Sequence, residues 1–243
     1  MARPRATSAA RPHTTRALLL RRVSYGESDL VVTLFTEALG RVSALARAAR
    51  RSQKRFGGSL EPMHTLIVRM DERAGAELLA LREASLETPR HYLVRDLDRM
   101  QAAGRALGWI RRAAPPRTPE PGTWRVIIEL LDRLDDESDA RTPKLHLAEL
   151  GLRLLAALGW GLDLQRCVRC GRACEPGRAA MIDAARGGLV CRACGGARVQ
   201  LDGAVRARLV SAAAGKMPGL SAEDADVALG LVEAALLAHM DIA

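Results

Sequence analysis

The segment "CVRCGRACEPGRAAMIDAARGGLVCRAC", from Cys167 to Cys194, contains all five cysteines of the chain. Four form two Cys-x-x-Cys pairs, Cys167/Cys170 and Cys191/Cys194, with twenty residues between the pairs. Two intervening residues make a tight turn that aims both thiolates at one point. Two such turns supply the four sulfurs that a tetrahedral Zn2+ accepts. Gly171 follows the first pair, and Gly195 and Gly196 follow the second, where the turns need backbone conformations that a Cβ opposes. Arg166, Arg169, Arg172 and Arg192 surround the pairs and would offset the charge of four thiolates. Cys174 lies one residue too far from Cys170 for a matched knuckle and reads as a spectator.

Zinc is the reading this spacing favours, and three others stand beside it. A thioredoxin-type redox pair calls for one Cys-x-x-Cys next to a βαβ unit, and none is visible. A disulfide framework calls for an oxidising compartment, to which nothing in the sequence directs the chain. A degenerate site without metal is the third. Catalytic zinc keeps a coordination position open for water, and four cysteines leave none. The five histidines are scattered, with no H-E-x-x-H and no H-x-E ahead of a P-C-x-x-C. A phosphate-binding P-loop, a dinucleotide fingerprint and a G-x-S-x-G elbow are also missing. The acids of "DRLDDESD" read as a solvated face and loop rather than a nuclease cluster. The expectation is a structural zinc, one per chain, in a protein that is not an enzyme.

The second chemistry is anion binding. There are 37 Lys and Arg against 28 Asp and Glu, a formal charge of +9, which favours nucleic acid as a partner. The excess is concentrated in "RVSALARAARRSQKR", which carries Arg41, Arg47, Arg50, Arg51, Lys54 and Arg55 and no acid; Arg16, Arg21 and Arg22 precede it. These are candidate phosphate contacts. Aromatics make up 3% of the chain, so Tyr25 and Phe56 are the only nearby groups for base stacking. Binding is therefore expected to be dominated by the backbone and tolerant of sequence.

The elements that must position these residues divide the chain. Over 14–84, "RALLLRRV", "LVVTLFT", "RVSALAR", "HTLIVRM" and "AELLALREA" are short apolar or alternating runs separated by turn signals, which predicts five strands. That number suits a small closed barrel, OB-fold or SH3-like. From residue 85 the apolar period becomes helical, and "APPRTPEPG" breaks it with four prolines as an inter-helix loop. The helical part, 85–243, carries the cysteine segment as an insert at about 165–197. Near its end, Ser221 and Asp224 resemble a capping box. The acid-free leader "MARPRATSAARPH", residues 1–13, could resemble a mitochondrial transit peptide but reads as a flexible tail of a cytosolic bacterial protein.

The stretch "VSYGESDLVVTLFTEALGRVSALARAARRSQKRFGGSLEP" resembles the bacterial RecO recombination mediators. Members typically have a Gly-Glu-x-Asp turn (here Gly26, Glu27, Asp29), a Thr-x-x-x-Gly hairpin (Thr36, Gly40), a basic strand and an R-F-G-G-x-L-x-P element, here Arg55 to Pro62. Many also carry a late pair of Cys-x2-Cys motifs. The likeness runs from about residue 14 to 240. The chain departs from the pattern in its longer Arg-rich leader and in Ala48, where a glycine is common.

The resemblance implies an α+β protein: a five-stranded N-terminal OB-fold and a helical domain with a zinc ribbon-like insert. It implies binding of single- and double-stranded DNA, strand annealing, and help in loading RecA onto DNA coated with single-strand-binding protein (SSB). RecR and the SSB tail would be partners, in a cytoplasmic, nucleoid-associated protein. The rival readings are a zinc-ribbon nucleic-acid-binding regulator without annealing activity, which would prefer one sequence, and a metal-dependent enzyme.

Overall fold

The computed structural model describes residues 10–139, 141–216 and 219–240, which separate into two units. One comprises the chain up to Arg90 together with Ala114–Glu120; the other comprises His91–Ala113 and the chain from Pro121 onward. In the first unit the alternating runs form β1 (Arg11–Tyr25), β2 (Asp29–Thr36), β3 (Gly40–Ala46), β4 (Thr65–Glu72) and β5 (Leu79–Thr88), closed in the order β1-β2-β3-β5-β4. Neighbours are antiparallel except β3 and β5, which pair in parallel through Ala44↔Leu79, Leu45↔Ala80 and Ala46↔Leu81. This partly parallel five-stranded closure is the OB arrangement, so register decides what alternation left open. Val32, Leu34, Ala44, Leu66, Val68 and Met70 are among the aliphatic side chains that fill the barrel.

The strands reach beyond the expected bounds of 14–84. Arg11, Pro12 and His13 lack an apolar pattern, yet they pair with Glu72, Asp71 and Met70, and His13 Nε2 lies 3.2 Å from Glu72 Oε2. The expected tail therefore loses residues 11–13 to a strand held by backbone pairing; residues 1–9 lie outside the described residues. At the β2–β3 turn, Thr36 Oγ1 donates to the Gly40 carbonyl at 2.9 Å and accepts from Leu39 N–H at 3.0 Å. Gly40 has φ +66°, and a Cβ there would stand 1.8 Å from the Thr118 carbonyl oxygen. That oxygen belongs to the proline-rich segment. The segment does join two helices in sequence, as expected, but it also straps the barrel. Arg41 Nε donates to the Ala114 carbonyl (2.7 Å), and the Arg117 guanidinium binds the Ala76 and Glu77 carbonyls and the Glu72 carboxylate.

After β3 the chain turns back at Ala48, which sits in the left-handed region at φ +52° while its N–H donates to Asp29 Oδ1 at 2.7 Å. A one-turn helix, α1 (Gln53–Phe56), follows; the Ser52 hydroxyl caps it, and Phe56 is driven into the barrel core. Phe56, expected as a stacking group, is thus a core residue only 3% exposed.

The second unit contains α2 (Leu97–Ala113), α3 (Pro121–Asp135) and α4 (Pro143–Ala157). Pro121 and Pro143 open their helices, where the missing N–H has no intrahelical partner to lose. Gly151 on α4 lets the Trp109 ring of α2 approach: a Cβ there would be 3.2 Å from that ring. Then comes a four-stranded sheet of β6 (Asp163–Cys167), β7 (Ala180–Asp183), β8 (Gly188–Leu189) and β9 (Val199–Leu201), in the order β6-β8-β7-β9, so the insert is slightly longer than expected. Two helices, α5 (Gly203–Ala213) and α6 (Ala222–Met240), complete the unit. The Ser221–Asp224 capping box forms reciprocally: Asp224 N–H donates to Ser221 Oγ (3.1 Å) and Ser221 N–H to Asp224 Oδ2 (2.9 Å). Asp224 also takes a bidentate bond from Arg208 of α5, at 2.7 and 2.8 Å. No helix among the described residues is long and apolar enough to cross a membrane.

Two predictions follow from these local constraints. A left-handed residue with a Cβ is strained, so Ala48→Gly should raise stability by about 0.5–1 kcal/mol in urea unfolding, even though glycine loosens the unfolded chain. Hydrogen bonding from Arg208, then the Ser221 bonds, holds the Asp224 carboxyl below the usual range despite burial. Its stabilisation is complete above the unfolded carboxylate pKa of about 4 and is lost as pH falls through the lower folded value. Wild-type melting temperature should therefore fall more steeply below pH 4 than that of Asp224→Asn, measured by circular dichroism across pH.

Candidate metal centre and nucleic-acid interface

The four paired cysteines converge. Their sulfurs all lie within 4.8 Å of one another, and Cys170 Sγ is 3.8 Å from Cys191 Sγ. A tetrahedron with Zn–S bonds of about 2.3 Å has S···S edges of about 3.8 Å, so the arrangement fits such an ion. Among the described residues this is the one group of three or more metal-ligating side chains close enough to share an ion. Cys174 lies outside it; its N–H is spent on the Gln165 carbonyl at 2.8 Å.

The two turns are built alike. Gly171 N–H donates to the Cys167 carbonyl (2.8 Å), and Cys194 and Gly196 N–H groups donate to the Cys191 carbonyl (2.9 and 3.1 Å). Gly171, Gly195 and Gly196 have φ of +71°, +100° and +65°, which is why these positions are glycine. Arg169 bridges the turns by donating to the Cys194 carbonyl at 2.9 Å. The N–H of Cys191, donated to Cys167 Sγ at 3.4 Å, helps draw that thiol down to about 6. Donation of the Cys194 S–H to the sulfurs of Cys191 and then Cys170 pushes Cys194 up to about 12. The protein alone thus favours a thiolate at Cys167 and opposes one at Cys194, whereas four thiolates packed this closely repel one another unless a cation lies between them.

One residue the sequence reading missed places this cluster. Arg206 of α5, only 3% exposed, sends its guanidinium to the carbonyls of Arg178 (3.1 Å), Leu164 (2.7 Å) and Glu175. Beside it, a Cβ on Gly203 would stand 1.7 Å from the Gly177 carbonyl oxygen. The insert is therefore keyed to α5 by one buried cation and one glycine. No local pattern announces either, because their partners lie some 25–40 residues away in sequence.

The candidate phosphate contacts separate into three kinds. Arg21, Arg47 and Lys54 are exposed and have no ion pair among the described residues. Arg50 and Arg51 are loosely tied to the β1–β2 turn: Arg50 Nη1 is 3.4 Å from the Glu27 carbonyl, and Arg51 Nη2 is 3.6 Å from Glu27 Oε2 with both side chains well exposed. Such surface pairs are worth about 0–1 kcal/mol and yield readily to a competing anion. Arg22, Arg41 and Arg55 are committed to the fold. Arg22 holds the Leu60 carbonyl and Glu61 (2.8 and 2.5 Å), and Arg41 holds the 114–117 strap. Arg55 donates to the Arg47 carbonyl (2.7 Å) and lies over the Phe56 ring. The Gly-Glu-x-Asp turn acquires a purpose here. Asp29 takes the Ala48 N–H, and Arg50 N–H donates to the Ser28 carbonyl (3.1 Å), fastening the basic turn to the end of β1 and β2.

Comparison with known proteins agrees with this architecture. Residues 11–90 match the family model "Recombination protein O N terminal" and residues 94–241 match "Recombination protein O C terminal". The DNA repair protein RecO of Desulfatibacillum aliphaticivorans is 36% identical over 241 residues, covering 94% of this chain and 92% of its own. That of Anaeromyxobacter sp. (strain K) is 40% identical over 177 residues, 73% of this chain and 68% of its own. That of Geobacter sulfurreducens is 34% identical over 184 residues, 76% and 73%. With both halves matched and the OB barrel, helical unit and four-cysteine cluster in place, the chain belongs to the RecO family, whose relatives named here are DNA repair proteins.

Proposed function

We propose that this protein is a DNA repair and recombination mediator that binds single- and double-stranded DNA, anneals complementary strands, and helps load RecA onto SSB-coated DNA. The observation that carries the reading is the group of exposed cations, Arg21, Arg47, Arg50, Arg51 and Lys54, on and beside the barrel of a RecO-family chain. Such charges neutralise phosphates whatever the sequence. Annealing asks only that two backbones be neutralised together, since base pairing and stacking in the product supply the free energy. No nucleotide and no catalytic residue enter the scheme, so the protein acts as a binding protein rather than an enzyme. RecR and the SSB tail are its proposed protein partners, and the cytoplasm its proposed compartment.

Zinc belongs to the same proposal. Cys167, Cys170, Cys191 and Cys194 would hold one Zn2+, whose charge allows all four thiolates to form and locks the two turns together. Structural zinc is worth roughly 10–16 kcal/mol in small peptides. Here Arg206 and the apolar insert strands remain when the ion leaves, so chelation should loosen the insert before it unfolds the helices. Metal analysis should find one zinc per chain, unchanged in Cys174→Ala and largely lost in Cys191→Ser; loss in Cys174→Ala would overturn the ligand set.

The functional test is annealing of complementary oligonucleotides, naked and coated with SSB, without nucleotide. The protein should accelerate both. Removing the last residues of SSB should slow only the coated reaction. Failure to anneal naked strands, together with strict preference for one sequence, would favour the regulator reading.

A further inference from the structure

We infer that the four-cysteine cluster is also an oxidation site, where a hydroperoxide takes two electrons from Cys170 and Cys191 and leaves a disulfide that joins the two turns in place of the metal. The inference rests on the one-zinc reading above and adds to it a reaction and the residue pair that carries it.

The four sulfurs are equivalent as ligands but not in access. Cys167 ends β6 and is 1% exposed, and Cys191 and Cys194 are half-buried, whereas Cys170 is exposed. A dissolved oxidant therefore meets Cys170 first. Access and thiolate character together decide which cysteine of a protein is oxidised, and a cysteine that ligates zinc is already a thiolate. Cys170 Sγ is 3.8 Å from Cys191 Sγ, so an S–S bond of about 2.0 Å needs an approach of about 2 Å. The turn has room to make it: around Gly171, next to Cys170, a Cβ would meet nothing within 4 Å. Cys167 is held more firmly. Its N–H donates to the Arg172 carbonyl, and the N–H of Val168 donates to the Leu189 carbonyl of β8, both at 2.9 Å.

With hydrogen peroxide the electrons balance between the pair and the oxidant. The Cys170 thiolate attacks one peroxide oxygen; an S–O bond forms, the O–O bond breaks, and the second oxygen leaves as hydroxide. Cys170 is then a sulfenic acid. The Cys191 thiolate attacks its sulfur; an S–S bond forms, the S–O bond breaks, and a second hydroxide leaves. Only Cys167 and Cys194 remain as thiolates, too few for a closed four-sulfur site, so the ion is released. A Cys170–Cys191 bond crosses from one turn to the other, whereas a bond within either Cys-x-x-Cys pair would leave the turns unjoined. Arg169, donating to the Cys194 carbonyl, keeps the turns side by side, and Arg206 keeps the insert on α5 without any metal. The fold therefore survives the exchange, and a thiol reductant can reverse it. Cys174 lines a cavity together with Cys191 but stands outside the cluster of sulfurs, which makes it the competing partner to be separated by experiment.

The test uses the full chain. Zinc is counted first by metal analysis. Hydrogen peroxide is then added with a weak chromophoric chelator present, and disulfides are mapped by mass spectrometry after the free thiols are alkylated. Peroxide should cause nearly complete loss of the zinc, with a Cys170–Cys191 disulfide and unchanged helical circular dichroism. Dithiothreitol and fresh zinc should restore metal binding. Cys174→Ala should behave identically. Zinc retained under peroxide that oxidises Cys174, a disulfide within either Cys-x-x-Cys pair or to Cys174, or sulfinic acid at Cys170 without a disulfide would overturn the inference and leave the one-zinc reading standing. If the untreated chain holds no zinc, that reading falls by itself, and disulfide mapping of the same chain still decides the pair.

Discussion

Three residue pairs close the barrel. The parallel contact of Ala44, Leu45 and Ala46 with Leu79, Ala80 and Leu81 is the shortest ladder in the first unit, and without it β3 and β5 would be open edges. Closure fixes where β3 ends, and that sets the start of the basic turn. The turn is then held by Asp29 on the Ala48 N–H and by Phe56, which plugs the core from α1. The cations of 47–55 are thus displayed by a turn anchored at both ends. The cost of that anchoring is visible at Ala48, forced into a conformation that a glycine would adopt without strain.

The cysteine insert obeys a different constraint. Its sheet is too small to carry a core of its own: β8 has two residues and β9 three. Order must come from outside the strands, and it has two sources. Arg206 and Gly203 bind the loops of the insert to α5, and the four sulfurs form a cluster whose charge a cation would balance. Burying the Arg206 guanidinium is tolerable because each of its three donating nitrogens meets a backbone carbonyl, which also relieves loop carbonyls of solvation they cannot obtain inside.

The basic stretch shows how far charge counting carries. Arg22, Arg41 and Arg55 look equivalent in sequence to Arg21, Arg47 and Arg50. The first three spend their donors on carbonyls and a carboxylate of the fold, so replacing them acts on stability before it acts on an external anion. Arginine suits both tasks because its planar fork satisfies several acceptors at once.

Several features were legible without coordinates because they are local. The Cys-x-x-Cys turns, Thr36 with Gly40, and Ser221 with Asp224 each join residues no more than four apart, so spacing alone specifies the geometry. The five strands and the helices were legible because burial imposes periods of two and 3.6. The rest depended on partners distant in the chain. A one-residue bulge in β1 turns Tyr25 from the core to the surface, although alternation would place it inside. The fate of Arg41 depends on a strap more than seventy residues away, that of Phe56 on the barrel interior, and that of Arg206 on loops of the insert. Sequence determined which residues could bind metal or phosphate, since that is a property of side-chain chemistry. Tertiary structure decided which of them are free to do so, because a donor already satisfied within the fold has little left to offer a ligand.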